Sequence, residues 1–97
     1  MKRIRRLPTA VRDLDQIWAD IFVDNPAAAD DLATLLIGAT NRLRDYPESG
    51  TPKFGILPGL RSISVKRYRI YYRVSPEAVE IMRIVHQSRD ESSLTFY

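Results

Sequence analysis

The hydrophobic period changes once along this chain, and that change limits the folds open to it. Before residue 47 the apolar residues recur at helical spacing; after residue 60 they recur every second residue; a segment dense in Pro and Gly separates the two regimes. Ala10, Leu14, Ile17, Trp18, Ile21 and Phe22 fall at i, i+4, i+7, i+8, i+11 and i+12, which gathers them into one apolar stripe and assigns them, Trp18 included, to the core. Arg12, Asp13, Asp15, Gln16, Asp20 and Asp24 take the wet side. Thr9 or the Pro8-Thr9 pair is expected to open this helix, since a Thr hydroxyl can accept from one of the first unpaired backbone N–H groups. Asn25-Pro26 ends it and opens another, because Pro suits a first helical turn and biases the residue before it away from helix. Ala28, Leu32, Leu35, Leu36, Ala39 and Leu43 repeat the spacing in the second helix, which is expected to run to about Tyr46-Pro47. The two helices form a hairpin.

Residues 48 to 59 read as a loop, from the density of Pro and Gly within it. Leu60 to Val65, Tyr68 to Ser75 and Val79 to Val85 then read as strands of an antiparallel meander. In the middle one Tyr68, Ile70, Tyr72 and Val74 point one way, and Arg69, Tyr71 and Arg73 the other. One face is thus expected to be core and the other basic and aromatic. Lys2 to Leu7 is a short strand near a sheet edge, stopped by Pro8, and could close a sheet of about four strands. The tail from Gln87 reads as a last helical turn or a docked extension. The fold class is therefore α+β: an N-terminal strand, then a two-helix hairpin packed on an antiparallel sheet.

With 97 residues the chain suits one domain spanning 1–97. It has no Cys and one His, which removes disulfides, thiolate chemistry and a zinc site built from several Cys or His of one chain. No cofactor and no metal are expected. No apolar run is long enough for a membrane helix and the start, Met1-Lys2-Arg3-Ile4-Arg5-Arg6, lacks a secretory apolar segment, so the expectation is a cytoplasmic protein without a membrane partner. Residues 1–50 hold seven basic and eight acidic side chains, and residues 51–97 hold eight and four. Arg61, Lys66, Arg67, Arg69 and Arg73 fall in a run with no acid, a field that attracts phosphates or an acidic protein segment.

Six phrases then stand in order: Asp13-Leu14-Asp15-Gln16-Ile17-Trp18, Asn25-Pro26-Ala27-Ala28-Ala29, Tyr46-Pro47-Glu48-Ser49-Gly50, Pro58-Gly59-Leu60-Arg61, Tyr68-Arg69-Ile70-Tyr71-Tyr72-Arg73-Val74 and Ile84-Val85-His86-Gln87-Ser88-Arg89-Asp90. From about Arg6 to Asp90 the chain resembles toxins of the RelE/ParE superfamily, on the ParE side (plasmid stabilisation family). The resemblance implies the toxin of a type II toxin–antitoxin module, silenced by a cognate ParD-like antitoxin, with DNA contacts made only through the antitoxin complex. ParE-like members are associated with poisoning DNA gyrase, RelE-like members with cutting messenger RNA on the ribosome. One fold hosts both, so the choice rests on the site residues. A third reading is a homologue that retains only antitoxin binding.

RNA cleavage without a metal needs a base for a 2′-hydroxyl proton, cations for the phosphate and an acid for the leaving oxygen. Arg69, His86 and Tyr97 are the candidates for that chemistry. His86, with an ordinary pKa of about 6.5, suits proton transfer, but a strand-end imidazole is as readily a hydrogen-bonded structural group. Gyrase poisoning asks only for a surface, and the helical hairpin and the C-terminal tail are candidates from shape. An acidic antitoxin segment is expected on Arg61, Ile63, Arg67, Arg69, Tyr71, Arg73 and Arg89.

Overall fold

The computed structural model describes residues 2–96. The elements run β1 (Arg3–Arg6), α1 (Pro8–Phe22), α2 (Pro26–Arg42), β2 (Thr51–Pro52), β3 (Leu60–Val65), β4 (Tyr68–Val74) and β5 (Ala78–His86), followed by a 3-10 turn, Glu91–Ser93. The strands form one sheet in the order β1-β5-β4-β3-β2. The α+β fold class and the three-strand meander follow the sequence pattern. Two details differ. The sheet has five strands, the fifth being a two-residue pairing of Thr51 and Pro52 with Ser62 and Arg61, too short for any periodicity to betray. It is also mixed, because the two-helix crossover returns the chain so that β1 runs parallel to β5, with Ile4 beside Val79.

The helix termini show which local signals operate. Leu7, without a side-chain cap, precedes α1, and Pro8 occupies the first turn. Thr9 does not cap. Its hydroxyl donates to the Met82 carbonyl at 2.7 Å, a group made available because the β4–β5 register shifts there: Tyr71 faces Arg83 while Tyr72 faces Ile81, leaving Met82 over as a bulge. Asn25 caps α2 as expected from Asn25-Pro26, its side-chain oxygen accepting from the Ala28 amide at 3.1 Å. That helix stops at Arg42, short of Tyr46-Pro47. The amides of Leu43, Arg44 and Asp45 bond carbonyls three residues back, so the last turn tightens and unwinds before the proline.

Cross-strand neighbours share a face. Ile63, Ile70 and Ile84 lie in one row, and Arg61, Tyr72 and Ile81 in the next. This face carries the main core, where Ile70, Tyr72, Val79, Ile81 and Ile84 meet Ala10, Leu36, Ala39 and Leu43 of the hairpin. Leu14 and Ile17 pack against it. Trp18 and Phe22 do not: they lie at the margin of the stripe and remain exposed. Asp13, placed on the wet side by its spacing, is turned toward β5 and paired with Arg83.

The opposite face is not the open basic and aromatic surface expected from alternation. Leu60, Tyr71, Met82 and Val85 form a second core there, closed by Phe96 of the tail and flanked by Leu7, Leu57 and Leu94. The tail is thus a 3-10 turn and a docked extension, and its apolar end buries the sheet's second side.

One contact fixes the loop before β3. The Gly50 amide donates to the Tyr72 hydroxyl at 2.8 Å. A Cβ on Gly50 would stand 2.5 Å from that oxygen and 2.9 Å from the Ser62 carbonyl oxygen, distances that neither the buried ring nor the strand backbone can absorb without moving. Gly50→Ala is therefore expected to lower unfolding stability by about 1–3 kcal/mol, measured as a fall in the urea midpoint at unchanged slope. An unchanged midpoint would show that the loop yields freely.

Candidate functional site

Two places concentrate functional groups: the end of the sheet where β3 turns into β4 and β5 ends, and the face beneath the tail. Lys66 and Arg67 make the β3–β4 connection. Lys66 sits at φ 55°, a left-handed conformation that costs a side-chain-bearing residue about 1–2 kcal/mol. The turn is held from the side, as the Gln87 amide donates to the Arg67 carbonyl at 2.7 Å. Lys66 and Arg67 are exposed, and beside them so are His86 and Arg89. A cleft of about 320 Å3 opens here against α1, with Asp13, Gln16, Asp20, Tyr68, His86 and Arg89 among its walls.

His86 is held by its own turn. The Ser88 amide donates to Nδ1 at 3.1 Å and the Ser88 hydroxyl lies 2.8 Å from the same nitrogen. An amide that donates to Nδ1 makes that atom an acceptor and leaves the ring proton on Nε2. The ring packs edge-on against Tyr68, centroids 5.4 Å apart. Arg69 is one residue away in register, opposite Val85, while His86 is opposite Tyr68. Adjacent positions on a strand project to opposite faces. His86 shares the helix-facing side with Tyr68, whereas Arg69 shares the other side with Val85. The two are level along the sheet and separated by it; Tyr97 lies outside the described residues.

The residues expected to meet a partner are likewise divided. Arg61 donates to the carbonyls of Gly50 (3.0 Å) and Glu48 (3.3 Å) and lies 5.4 Å from the Phe54 ring centre, so it is engaged in holding the loop. Ile63 is half-buried on the helix side of β3, whose pairing with β2 ends at Ser62. Arg73 approaches Glu80 at 3.4 Å, and Arg5 approaches the same carboxylate at 3.5 Å. Tyr71, grouped by alternation with the exposed arginines, is fully buried, its ring 5.5 Å from that of Phe96. Arg67, Arg69 and Arg89 keep exposed or half-exposed positions.

The tail is also held by polar groups that residue spacing did not reveal. The Tyr71 hydroxyl donates to Glu91 at 2.7 Å, and Lys53 stands 3.1 Å from the same carboxylate. Burial, then the Glu91 acceptor, push the Tyr71 phenol up to about 12, against the opposing influence of Arg69. The hydroxyl of Tyr71, and after it Lys53, hold Glu91 below its ordinary range in spite of some burial. Arg83 ties the same tail to α1: it donates through Nε and Nη2 to the two Asp13 oxygens at 2.7 and 3.1 Å, and through Nη1 to the Thr95 carbonyl at 2.6 Å. The clue available in the sequence was an Arg among β-branched residues in a strand, which asks for a carboxylate partner without saying which. Among the described residues no group of three or more His, Asp or Glu is placed to hold a metal ion, and no helix is long and apolar enough to cross a membrane.

The model of the ParE toxin of type II toxin–antitoxin systems, parDE, matches residues 4–91. The chain belongs to the ParE toxin family. Toxin ParE3 of Caulobacter vibrioides is 31% identical to it over 86 residues, covering 88% of this chain and 86% of the relative. Toxin RelE3 of the same organism is 32% identical over 87 residues, covering 89% and 95%. A chain of a solved structure described as the chromosomal ParDE TA system from P. aeruginosa superposes with a TM-score of 0.77 at 21% identity, covering 89% of this chain and 96% of that one. The family match takes in the helical hairpin, the sheet and the exit of β5, and stops at Glu91, before Phe96 closes the second core.

The pair Tyr71–Glu91 makes tail docking sensitive to pH at both ends. A carboxylate held low in the folded state stabilises it above the ordinary Glu pKa of about 4.3, and this contribution is lost as pH falls through the lower folded value. A phenol held high stabilises below its ordinary value of about 10, and that contribution is lost as pH rises through the folded value of about 12. Wild type should therefore lose more stability between pH 7 and pH 3 than Glu91→Gln, by urea titration at each pH. Equal losses would remove Glu91 from the account.

Proposed function

We propose that this ParE-family protein is a toxin that inhibits DNA gyrase by binding, and that a cognate ParD-like antitoxin neutralises it. The observation that carries the reading is the separation of Arg69 from His86 by the thickness of the sheet, with His86 Nδ1 already engaged by Ser88. A ribonuclease step needs base, acid and phosphate clamp around one phosphodiester, and these two side chains do not converge on a common point. A poison that holds an enzyme–DNA intermediate needs a rigid, complementary surface instead, which a sheet cored on both faces supplies.

For the antitoxin, the basic sheet end is the natural seat. Arg67, Arg69 and Arg89 offer cations to an acidic segment, and Arg61, Ile63, Tyr71 and Arg73 would support it from the loop, the β3 edge, the second core and the Glu80 pair. DNA gyrase is then the cellular target, and the toxin acts in the cytoplasm where gyrase works. The likeness to a relative named RelE3 keeps ribosome-dependent messenger RNA cleavage as the competing reading.

Two assays on the purified chain separate them. With gyrase, we expect inhibited supercoiling and DNA breaks trapped in the cleavage complex; with ribosomes and a messenger RNA, we expect intact RNA, and His86→Ala should leave gyrase inhibition within about twofold. Cut RNA with normal supercoiling would overturn the proposal, as would silence in both assays. Arg67→Glu combined with Arg69→Glu should weaken the antitoxin complex at least about tenfold at low salt, by calorimetry; undiminished affinity would move the antitoxin off this face.

A further inference from the structure

Lys2, Arg3, Arg5 and Arg6 place four cations in five consecutive residues, with no acid among them. Arg3–Arg6 is β1, the outer strand of the sheet. Along β5 the amides of Arg3 and Leu7 donate to the carbonyls of Glu77 and Ile81. Backbone groups alternate in direction along a strand, so the amides of Ile4 and Arg6 point to the open edge. Arg44, just past α2, joins this edge from the helix side: with Lys2, Arg3 and Ile4 it lines a cleft of about 370 Å3.

Most of this charge is uncompensated. Arg5 approaches Glu80, which Arg73 also approaches. Lys2, Arg3, Arg6 and Arg44 pair with no carboxylate among the described residues, although Asp45 follows Arg44 in the chain and Glu77 precedes the β5 residue beside Arg3. Lys2 Nζ donates instead to the carbonyls of Ser75 and Pro76, each at 3.0 Å. Arg6 Nη2 donates to Thr40 Oγ1 at 2.7 Å and Asn41 Oδ1 at 2.8 Å, and its buried Nε has no acceptor among the described residues. Neutral oxygens hold both side chains in place and cancel neither charge.

This basic edge is separate from the basic turn at Lys66 and Arg67. Arg3 lies beside Ala78, the first residue of β5, whereas Arg67 is bonded by Gln87, just past its last, and a strand of that length puts roughly 25 Å between them. The composition of the cleft selects its occupant. Ile4 is the one apolar residue in its wall and packs into the main core, and no aromatic ring lines it. A protein partner is anchored by apolar and aromatic contacts, and an unpaired nucleic-acid strand by rings on which its bases stack; neither finds them here. Arginine forks and outward amides match the phosphate oxygens of a duplex. We propose that the open edge of β1, with Lys2, Arg3, Arg6 and Arg44, binds the sugar–phosphate backbone of duplex DNA. The choice of DNA over duplex RNA rests on the gyrase reading above; the phosphate chemistry does not. The toxin then has a DNA contact of its own, away from the face assigned to the antitoxin.

The probe is a short labelled DNA duplex of arbitrary sequence, titrated with the toxin alone and followed by fluorescence anisotropy. Wild type should bind at low salt and release as salt rises. Arg3→Glu with Arg44→Glu, both exposed, should weaken binding at least about tenfold and flatten the slope of log affinity against log salt by about two. Arg67→Glu with Arg89→Glu makes the same change of charge at the other end of the sheet and should stay within about threefold. Arg3→Gln with Arg44→Gln repeats the test without adding acids, and each variant is checked for an unaltered urea midpoint. No binding by wild type at low salt, equal losses from the two charge-matched variants, or tighter binding to an RNA duplex of the same sequence overturns the proposal.

A second arm adds gyrase and the antitoxin. In Arg3→Glu with Arg44→Glu, trapping of the gyrase cleavage complex should fall at least about tenfold while antitoxin affinity stays within about twofold. Trapping at the wild-type level overturns the proposal, as does a loss of antitoxin affinity with DNA binding intact, which would make the edge a seat for an acidic protein. If wild type traps no gyrase and still binds the DNA duplex through Arg3 and Arg44, the gyrase reading fails and the surface stands.

Discussion

One guanidinium holds the layers together. Arg83, beside the β4–β5 bulge, grips Asp13 on α1 with two nitrogens and the Thr95 carbonyl of the tail with a third. Asp13 in turn accepts from the Ile84 amide at 3.0 Å, so both carboxylate oxygens are satisfied. A charge this little exposed is costly unless paired and hydrogen-bonded. The three elements that meet here are far apart in the chain, and each covers something: α1 covers one face of the sheet, and the tail covers the other. The bulge serves both sides, since it also gives Met82 the carbonyl that receives the Thr9 hydroxyl at the start of α1.

With both faces of the sheet occupied, partners are left with its ends and with the helices. The basic turn at Lys66 and Arg67 lies near His86 and Arg89, across a cleft from Asp13, Gln16 and Asp20 of α1, and the exposed Trp18 and Phe22 stack on the flank of the same helix. A toxin that acts by binding, as proposed above, needs a rigid body. The sheet, cored on both faces, supplies that rigidity.

Local patterns carried the architecture because they report local structure. The helical stripe, the Asn25-Pro26 junction and the two-residue alternation of β3 and β4 each follow from neighbouring residues, and the structure has them where the pattern puts them, within a residue or two for the strands. What the pattern missed was nonlocal. Asp13 has the spacing of a solvated residue and becomes an anchor only because Arg83, 70 residues later, arrives beside it. Tyr71 alternates with buried Ile70 and Tyr72, so it reads as outward until Phe96 folds over it. Trp18 sits at the edge of the stripe, where a few degrees of helix rotation decide between core and surface. Arg69 and His86 were legible as neighbours in level but not in facing, since that depends on the β4–β5 register.

The claim that Arg83 and Asp13 act as one unit joining α1 to the sheet and the tail is tested most directly by a double-mutant cycle of Asp13→Ala and Arg83→Ala, with native-state hydrogen exchange on each variant. The account predicts a coupling of about 2–3 kcal/mol, and loss of protection in α1 and in the segment around Phe96 in both single variants. Effects that add to within about 0.5 kcal/mol, or a tail that stays protected when Arg83 is removed, would contradict it.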